Sequence, residues 1–431
     1  MEEPVVESRG RHSYLLTWPV AQMRIRIDQI HERSGALMGE CLIESIHPQS
    51  PGHWMLNRLN LTNAKGRSDM ARLMSKREGA EDLPWEEILE TACALVLTAY
   101  RVGEPVVNAA TRPKPTSPGF LLNPFLLNRD VSMIFGDGDS GKSLFAQYLA
   151  LICAKGHRDA ATGLSPDRPV NALYLDFERS EEDFLLRLHA LSSGAGVAVP
   201  PVFYRRCYRR LSDEADDIHR LISDLGIGLL VIDSVGAACG GEIQYAEPVF
   251  TYFSALRSFN VSALHVHHIT HQERKNDQTK SPYGSVYLRN YSTSTWEVRR
   301  IEEEDGMTIG LFHDKHNTTK RLPPCAYRIV FDDPAERIIL HQTDVNAIAQ
   351  WAKRTKLSDR IVNILRSKGP LTVTDLAAQL GVDTQAVSMA IKREGQDDAP
   401  RFQRSNEKRG TPVTMCDMSQ EDRYPDQDLA V

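Results

Sequence analysis

Between residues 129 and 270 short β-branched runs (DVSMIF, NALYLDFE, VFYRRCY, LLVIDSV, ALHVHHIT) alternate with stretches whose apolar residues recur at helical spacing. That alternation predicts an α/β domain with a mainly parallel sheet, because parallel neighbours need a crossover that is usually a helix. From 295 onward TWEVRRIEE, MTIGLFHDKH, AYRIVFDD and RIILHQ are separated only by turn residues, which predicts consecutive antiparallel strands. Upstream, MRIRIDQIHE and ALMGECLIESI alternate in polarity around Arg33, Ser34 and Gly35 and read as a hairpin. AKGRSDMARLMSKRE after Asn63 and WEEILETACALVLTAY after Pro84 read as helices. Downstream, KLSDRIVNILRSKG, TVTDLAAQLG and DTQAVSMAIKREG read as three short helices ending at Gly369, Gly381 and Gly395. Pro105, Pro113, Pro115 and Pro118 forbid a continuous helix across 104–119. The expected organisation is therefore an α+β module over 1–103, a Pro-rich linker over 104–119 and an α/β domain over 120–345. A helical unit over 353–415 and an acidic, disordered tail over 416–431 complete it.

Length and composition narrow the class. The 431 residues, 41% hydrophobic and 25% charged, are enough for about three ordinary folded domains. A net charge of −6 gives no overall attraction to nucleic acid or membrane, so any anion site has to be local. No apolar run reaches the ~18 residues of a membrane helix, and the start MEEPVVESRGRH has neither a basic nor an apolar segment. A cytoplasmic protein with no membrane partner is expected. Seven cysteines without a CxxC pair argue against a disulfide framework and a zinc ribbon. Lys65, Arg67, Arg72, Lys76 and Arg77 make the first N-terminal helix basic, which reads as a solvated face.

Residues 136–143, GDGDSGKS, match G-x-x-x-x-G-K-S/T between a strand-like and a helix-like segment. Backbone N–H groups of such a loop turn inward around phosphate oxygens, and the helix N-terminus adds its positive dipole end. The expected nucleotide contacts are Gly136, Asp137, Gly138, Asp139, Ser140, Gly141, Lys142, Ser143 and Leu144. Lys142 neutralises β- and γ-phosphate charge and the Ser143 hydroxyl ligates Mg²⁺, so ATP and Mg²⁺ are the expected ligands. Asp233, ending the apolar strand GLLVIDS, is the expected second Mg²⁺-side group, acting through water. Asp176 and Glu178 fall on one side of NALYLDFE by strand alternation, and Glu178 is the candidate for polarising the attacking water. As the other reading, Glu178 is an N-cap or first-turn acid of the helix that follows.

Over about residues 120–335 these features resemble the RecA-like P-loop ATPase superfamily, and more closely its plasmid and phage RepA-type branch of hexameric helicase-like ATPases. The resemblance implies Glu178 as catalytic glutamate, Asp233 as the Walker B aspartate and His268 as a γ-phosphate sensor. HDKHNTT resembles the segment that sends a cation into the neighbouring subunit's site, which implies Lys315 as a trans finger and a ring or filament. Asn317 stands where a second such cation is common, leaving Lys320 or Arg321 as substitutes. The polar stretch HQERKNDQTKSPYGSVYLRN, with Arg274 and Lys275, corresponds to the family's mobile DNA-gripping loops; a lid with no nucleic-acid role has the same composition.

The three C-terminal helices have the spacing of a helix-turn-helix, and RFQRSNEKRGTPVTM resembles a β-wing with Arg404, Lys408 and Arg409 at its tip. Over 353–410 twelve Lys/Arg face seven Asp/Glu, a surplus of five on a chain whose total is −6. Duplex DNA is the partner such a unit favours, with protein binding as the other use of winged helices. The sequence thus predicts a RecA-like ATPase core carrying a C-terminal winged helix-turn-helix. The expected activity is ATP hydrolysis by a homo-oligomer, a hexamer by resemblance, acting on single-stranded DNA as a helicase-like motor or loader. An ATP-controlled DNA-binding regulator, or a recombination mediator without unwinding activity, shares the same site.

Overall fold

The computed structural model describes residues 2–8, 12–33, 35–49, 52–102, 106–113, 119–269, 286–317, 321–345, 351, 357–396, 400, 402–404 and 410–416. The N-terminal part is a five-stranded antiparallel sheet in sequential order, β1 (Val5–Ser8), β2 (Tyr14–Trp18), β3 (Met23–Arg33), β4 (Ala36–Ser45) and β5 (Gly52–Asn60). Helices α1 (Ala64–Met74) and α2 (Trp85–Val102) follow, and Met70, Met74, Trp85, Ile88 and Leu89 share a core with Trp18, Ile25 and Ile43 of the sheet. The hairpin pattern finds β3 and β4 but not β1, β2 or β5. The four residues of β1 are all exposed, and β5 buries only Met55 and Leu59 fully, so neither shows a clean apolar alternation.

A small hairpin, β6 (Phe120–Leu122) and β7 (Leu126–Leu127), opens the central domain. The chain then runs β8 (Val131–Gly136), α3 (Lys142–Lys155), β9 (Asn171–Asp176), α4 (Glu181–Gly194), β10 (Val202–Arg206), α5 (Ala215–Asp224) and β11 (Ile227–Asp233). It continues through α6 (Val235–Cys239), α7 (Ala246–Ser258), β12 (Ser262–His268) and α8 (Val286–Tyr291). The antiparallel ribbon β13 (Ser294–Glu303), β14 (Gly306–His316), β15 (Cys325–Asp332) and β16 (Arg337–Thr343) closes the domain.

These strands form one nine-stranded sheet in the order β10-β9-β11-β12-β8-β13-β14-β15-β16. The pairings from β10 to β13 are parallel and those from β13 to β16 antiparallel, as the two sequence patterns require. Helices α3 and α4 cover one face, where Phe145, Leu149, Leu188, Tyr174 and Trp296 pack together. Helix α7 covers the other, with Val249 and Phe253 against Met133, Leu173 and Ile232. Helix α3 is buried along nearly its whole length, so apolar residues surround it instead of forming one stripe.

The C-terminal part holds α9 (Leu357–Lys368), α10 (Val373–Leu380) and α11 (Thr384–Glu394), then the antiparallel pair β17 (Phe402–Arg404) and β18 (Val413–Met415). Thr372 caps α10 by accepting from Asp375 N–H, and Asp383 caps α11 by accepting from Gln385 N–H at 2.9 Å. Ile361, Leu365, Leu376, Val387, Phe402 and Val413 share one small core. Among the described residues no helix is long and apolar enough to cross a membrane.

Candidate active site

Parallel strands deliver their C-terminal ends to a common edge, and there the chemically active residues collect. In the pairing register Asp176 of β9 stands opposite Asp233 of β11, and His268 of β12 opposite Gly136 of β8. Open α/β sheets bind ligands at this edge.

The loop between β8 and α3 bends for two different reasons. A Cβ on Gly136 would lie 2.4 Å from the Val298 carbonyl oxygen, so glycine is required by the close approach of β13. Gly141 has φ +83°, the left-handed region, and is backed by Ile309 and Met307 of β14. Asp139 also lies in that region, with φ 59°, which aspartate tolerates better than most residues. Lys142 Nζ donates to the Gly136 carbonyl at 3.1 Å, to the Asp137 carbonyl, and to Ser140 Oγ at 3.2 Å. The ammonium therefore lies in the concavity of the loop. Leu144 is buried in the core beneath α3, so only its backbone is available to a ligand.

Asp233 is buried at the end of β11. Tyr174 donates its hydroxyl to Asp233 Oδ2 at 2.6 Å, and Ser143 donates as well. Burial pushes the Asp233 carboxyl up, and these two hydrogen bonds oppose the shift. Asp176 accepts at Oδ1 from the N–H groups of Glu178 and Arg179, both at 2.8 Å. Its Oδ2 is buried with no hydrogen-bond partner among the described residues. Ser143 and Asp233 are hydrogen-bonded oxygen donors, and Asp176 stands opposite Asp233 in the register; oxygen donors suit a hard cation such as Mg²⁺ and its waters.

Glu178 lies two residues beyond the end of β9, where the Asp176 turn carries it off the strand. Strand alternation therefore does not place it. Ser234 donates its hydroxyl to Glu178 Oε1, and His268 Nε2 lies 3.6 Å from the same oxygen. The His268 ring beside it and the Ser234 hydroxyl outweigh partial burial and hold the Glu178 carboxyl down to about 2. The helix-cap reading of Glu178 is not what the structure shows, because Ser180 caps α4 by accepting from Asp183 N–H at 3.3 Å. A cavity of about 300 Å³ adjoins His268, lined by Gly236, Glu242, Ile243, Gln244 and His267.

Sequence reasoning missed Ser234 and Tyr174. Both have a faint signal: Ser234 directly follows the strand-end Asp233, and Tyr174 shares a strand face with Asp176.

Lys315 occupies the other end of the sheet. It pairs with Thr295, which pairs with Met133, so along β8 it stands three residues before Gly136, roughly 10 Å at ~3.3 Å per residue. Its Nζ donates to the carbonyls of Arg289, Asn290 and Ser292 at 2.7, 2.9 and 2.8 Å, which caps the C-terminal end of α8. Burial, with the neighbouring Arg289, pulls the Lys315 ammonium down. Arg404 ends β17. Arg274, Lys275, Lys320, Lys408 and Arg409 lie outside the described residues.

Residues 100–275 match the family model described as an AAA domain. Among solved structures, the chain is similar to a KaiC-like protein from the hyperthermophilic archaeon Pyrococcus horikoshii OT3, with 14% identity and a TM-score of 0.36. That likeness covers 53% of this chain and 98% of the other. Among curated proteins no sequence matches the chain.

Proposed function

We propose that this P-loop ATPase domain belongs to an ATP-hydrolysing, oligomeric enzyme of the RecA/RepA-like kind that acts on DNA, as a helicase-like motor or its loader. The observation that carries the hydrolytic part is the contact of Glu178 with Ser234 and His268 at the strand edge beside the phosphate loop. A carboxyl held at about 2 is ionised at neutral pH and is a weak base. Glu178 therefore orients and polarises water while His268 stays close, and becomes the stronger base when that ring withdraws. Lys142 exchanges its loop carbonyls for phosphate oxygens, and Asp233 with Ser143 holds the metal side. Mg²⁺, when bound, supplies charge neutralisation at the β- and γ-phosphates.

Assembly and DNA enter the proposal on separate grounds. Lys315 is set back three residues, roughly 10 Å at ~3.3 Å per residue, from the level of Gly136, which suits a cation offered to a neighbour, and a cation in trans stabilises phosphoryl transfer only in an assembled oligomer. The surplus of five positive charges over 353–410 favours duplex DNA at the C-terminal unit, read as a winged helix. The test is ATP turnover with and without single-stranded DNA, read alongside mass in solution. Turnover stimulated by single strands in a particle of hexamer mass is the expected result. Turnover indifferent to DNA in a monomer would overturn the proposal, and saturable duplex binding with nucleotide-driven assembly alone would favour the regulator.

A further inference from the structure

Strand β13 outruns β8. Its last pairing with β8 is Val298 with Gly136, yet it continues to Glu303 with β14 as its remaining partner. Alternation puts Arg300 on the same face as Trp296 and Val298, which belong to the core under α3. That is the face of the phosphate loop. Arg300 Nη1 donates to the Asp139 carbonyl at 2.6 Å, and Nη2 meets Glu302 Oε1 at 2.5 Å. Within residues 136–143, Asp139 is the non-glycine residue with a left-handed φ.

We infer that Arg300 is a positioning residue for the phosphate loop, fixing from outside which backbone N–H groups face a nucleotide's phosphates. A trans peptide sends its C=O and its N–H to opposite sides. Pinning the Asp139 carbonyl outward toward β13 therefore turns the Ser140 N–H inward. That N–H is in long contact, 3.4 Å, with the Asp137 carbonyl, so a phosphate oxygen displaces a weak bond there. The brace has a second arm, because Met307 and Ile309 of β14 back the other left-handed residue, Gly141. The β13–β14 ribbon thus supports both bends of the loop.

This inference rests on the reading that the loop holds ATP, so the experiment separates the two. Equilibrium binding of ATP and ADP, steady-state turnover and thermal melting are measured for the full chain, Arg300→Met and Arg300→Lys. Loss of one charge-assisted hydrogen bond predicts about tenfold weaker nucleotide binding in Arg300→Met and a KM raised by the same factor. The same variant should show kcat within about twofold and an unchanged melting temperature. Arg300→Lys, which keeps a cationic donor for the Asp139 carbonyl, recovers part of the affinity. Unaltered affinity in Arg300→Met overturns the assignment, as does an affinity loss that tracks a lower melting temperature in both variants. A wild-type chain that binds no nucleotide overturns the ATP reading and this inference together.

Discussion

Glu178 is governed by two neighbours that act on different variables, one on its position and one on its charge. Ser234 fixes an oxygen through a hydrogen bond, while His268 supplies the largest part of the lowering to about 2. Replacing Glu178 with Gln should leave ATP binding intact and slow hydrolysis by about 10²–10⁴-fold, the range for a positioned acid–base group. Single-turnover kinetics against equilibrium binding checks this. Because the folded carboxyl is depressed, Glu178 contributes stability above its ordinary value of 4.5, and that contribution is lost as pH falls toward about 2. His268→Ala removes the largest cause, so the carboxyl should titrate closer to 4.5 and the acid limb of turnover should move up in pH. A carboxyl NMR titration of the two proteins reads the shift directly. Lys142, Ser143 and Asp233 were legible because a local motif or a strand end marks each of them, whereas the turn that carries Glu178 off β9 has no such mark. Tyr174, Ser234 and Arg300 act across 59, 56 and 161 residues of chain, and no local pattern records a contact that the sheet alone creates.

Two glycines show how elements are held at working distance. A Cβ on Gly194 of α4 would lie 2.0 Å from the Ile338 carbonyl oxygen on β16, and on Gly136 it would meet the Val298 carbonyl. Backbone cannot step aside as a side-chain tip can, so Gly194→Ala should cost about 1–3 kcal/mol as overpacking. It should lower the melting temperature while leaving nucleotide affinity near wild type. Gly136→Ala should cost a similar amount and also lose nucleotide binding, because the displaced strand is the one that braces the loop. Calorimetry of both variants with and without ATP separates the two outcomes. Strands β8, β9 and β11 were legible as apolar runs ended by glycine or a carboxylate, and β12 as one ended by histidines. Strands β1 and β5 were not, because an exposed or nearly exposed strand has no core face to impose alternation.

The proposed assembly and DNA binding are tested on the whole molecule. Lys142→Ala and Lys315→Ala should each be inactive alone, and mixed oligomers should regain part of the turnover where an intact loop meets an intact Lys315. Since Lys315 also caps α8, each variant's melting temperature is the control that distinguishes a lost finger from a loosened helix. Removing residues 353–431 should spare basal turnover, since every ATP-site residue precedes them, and should abolish duplex affinity. Replacing Arg404, Lys408 and Arg409 together should flatten log affinity against log salt by up to about three units if each meets a phosphate. The sheet order itself was beyond reach of the sequence, because β8 finds its neighbours only in β12 and β13, far along the chain. That placement governs how the protein is made. A growing chain that has passed Ser143 has the whole phosphate motif but neither flanking strand, and at ~5–20 residues per second the ribosome needs roughly 8–30 s more to reach Val298. During that interval the nascent loop has no Val298 behind Gly136 and no Arg300 on Asp139, so the ability to hold nucleotide arrives late in synthesis, with the ribbon that braces it.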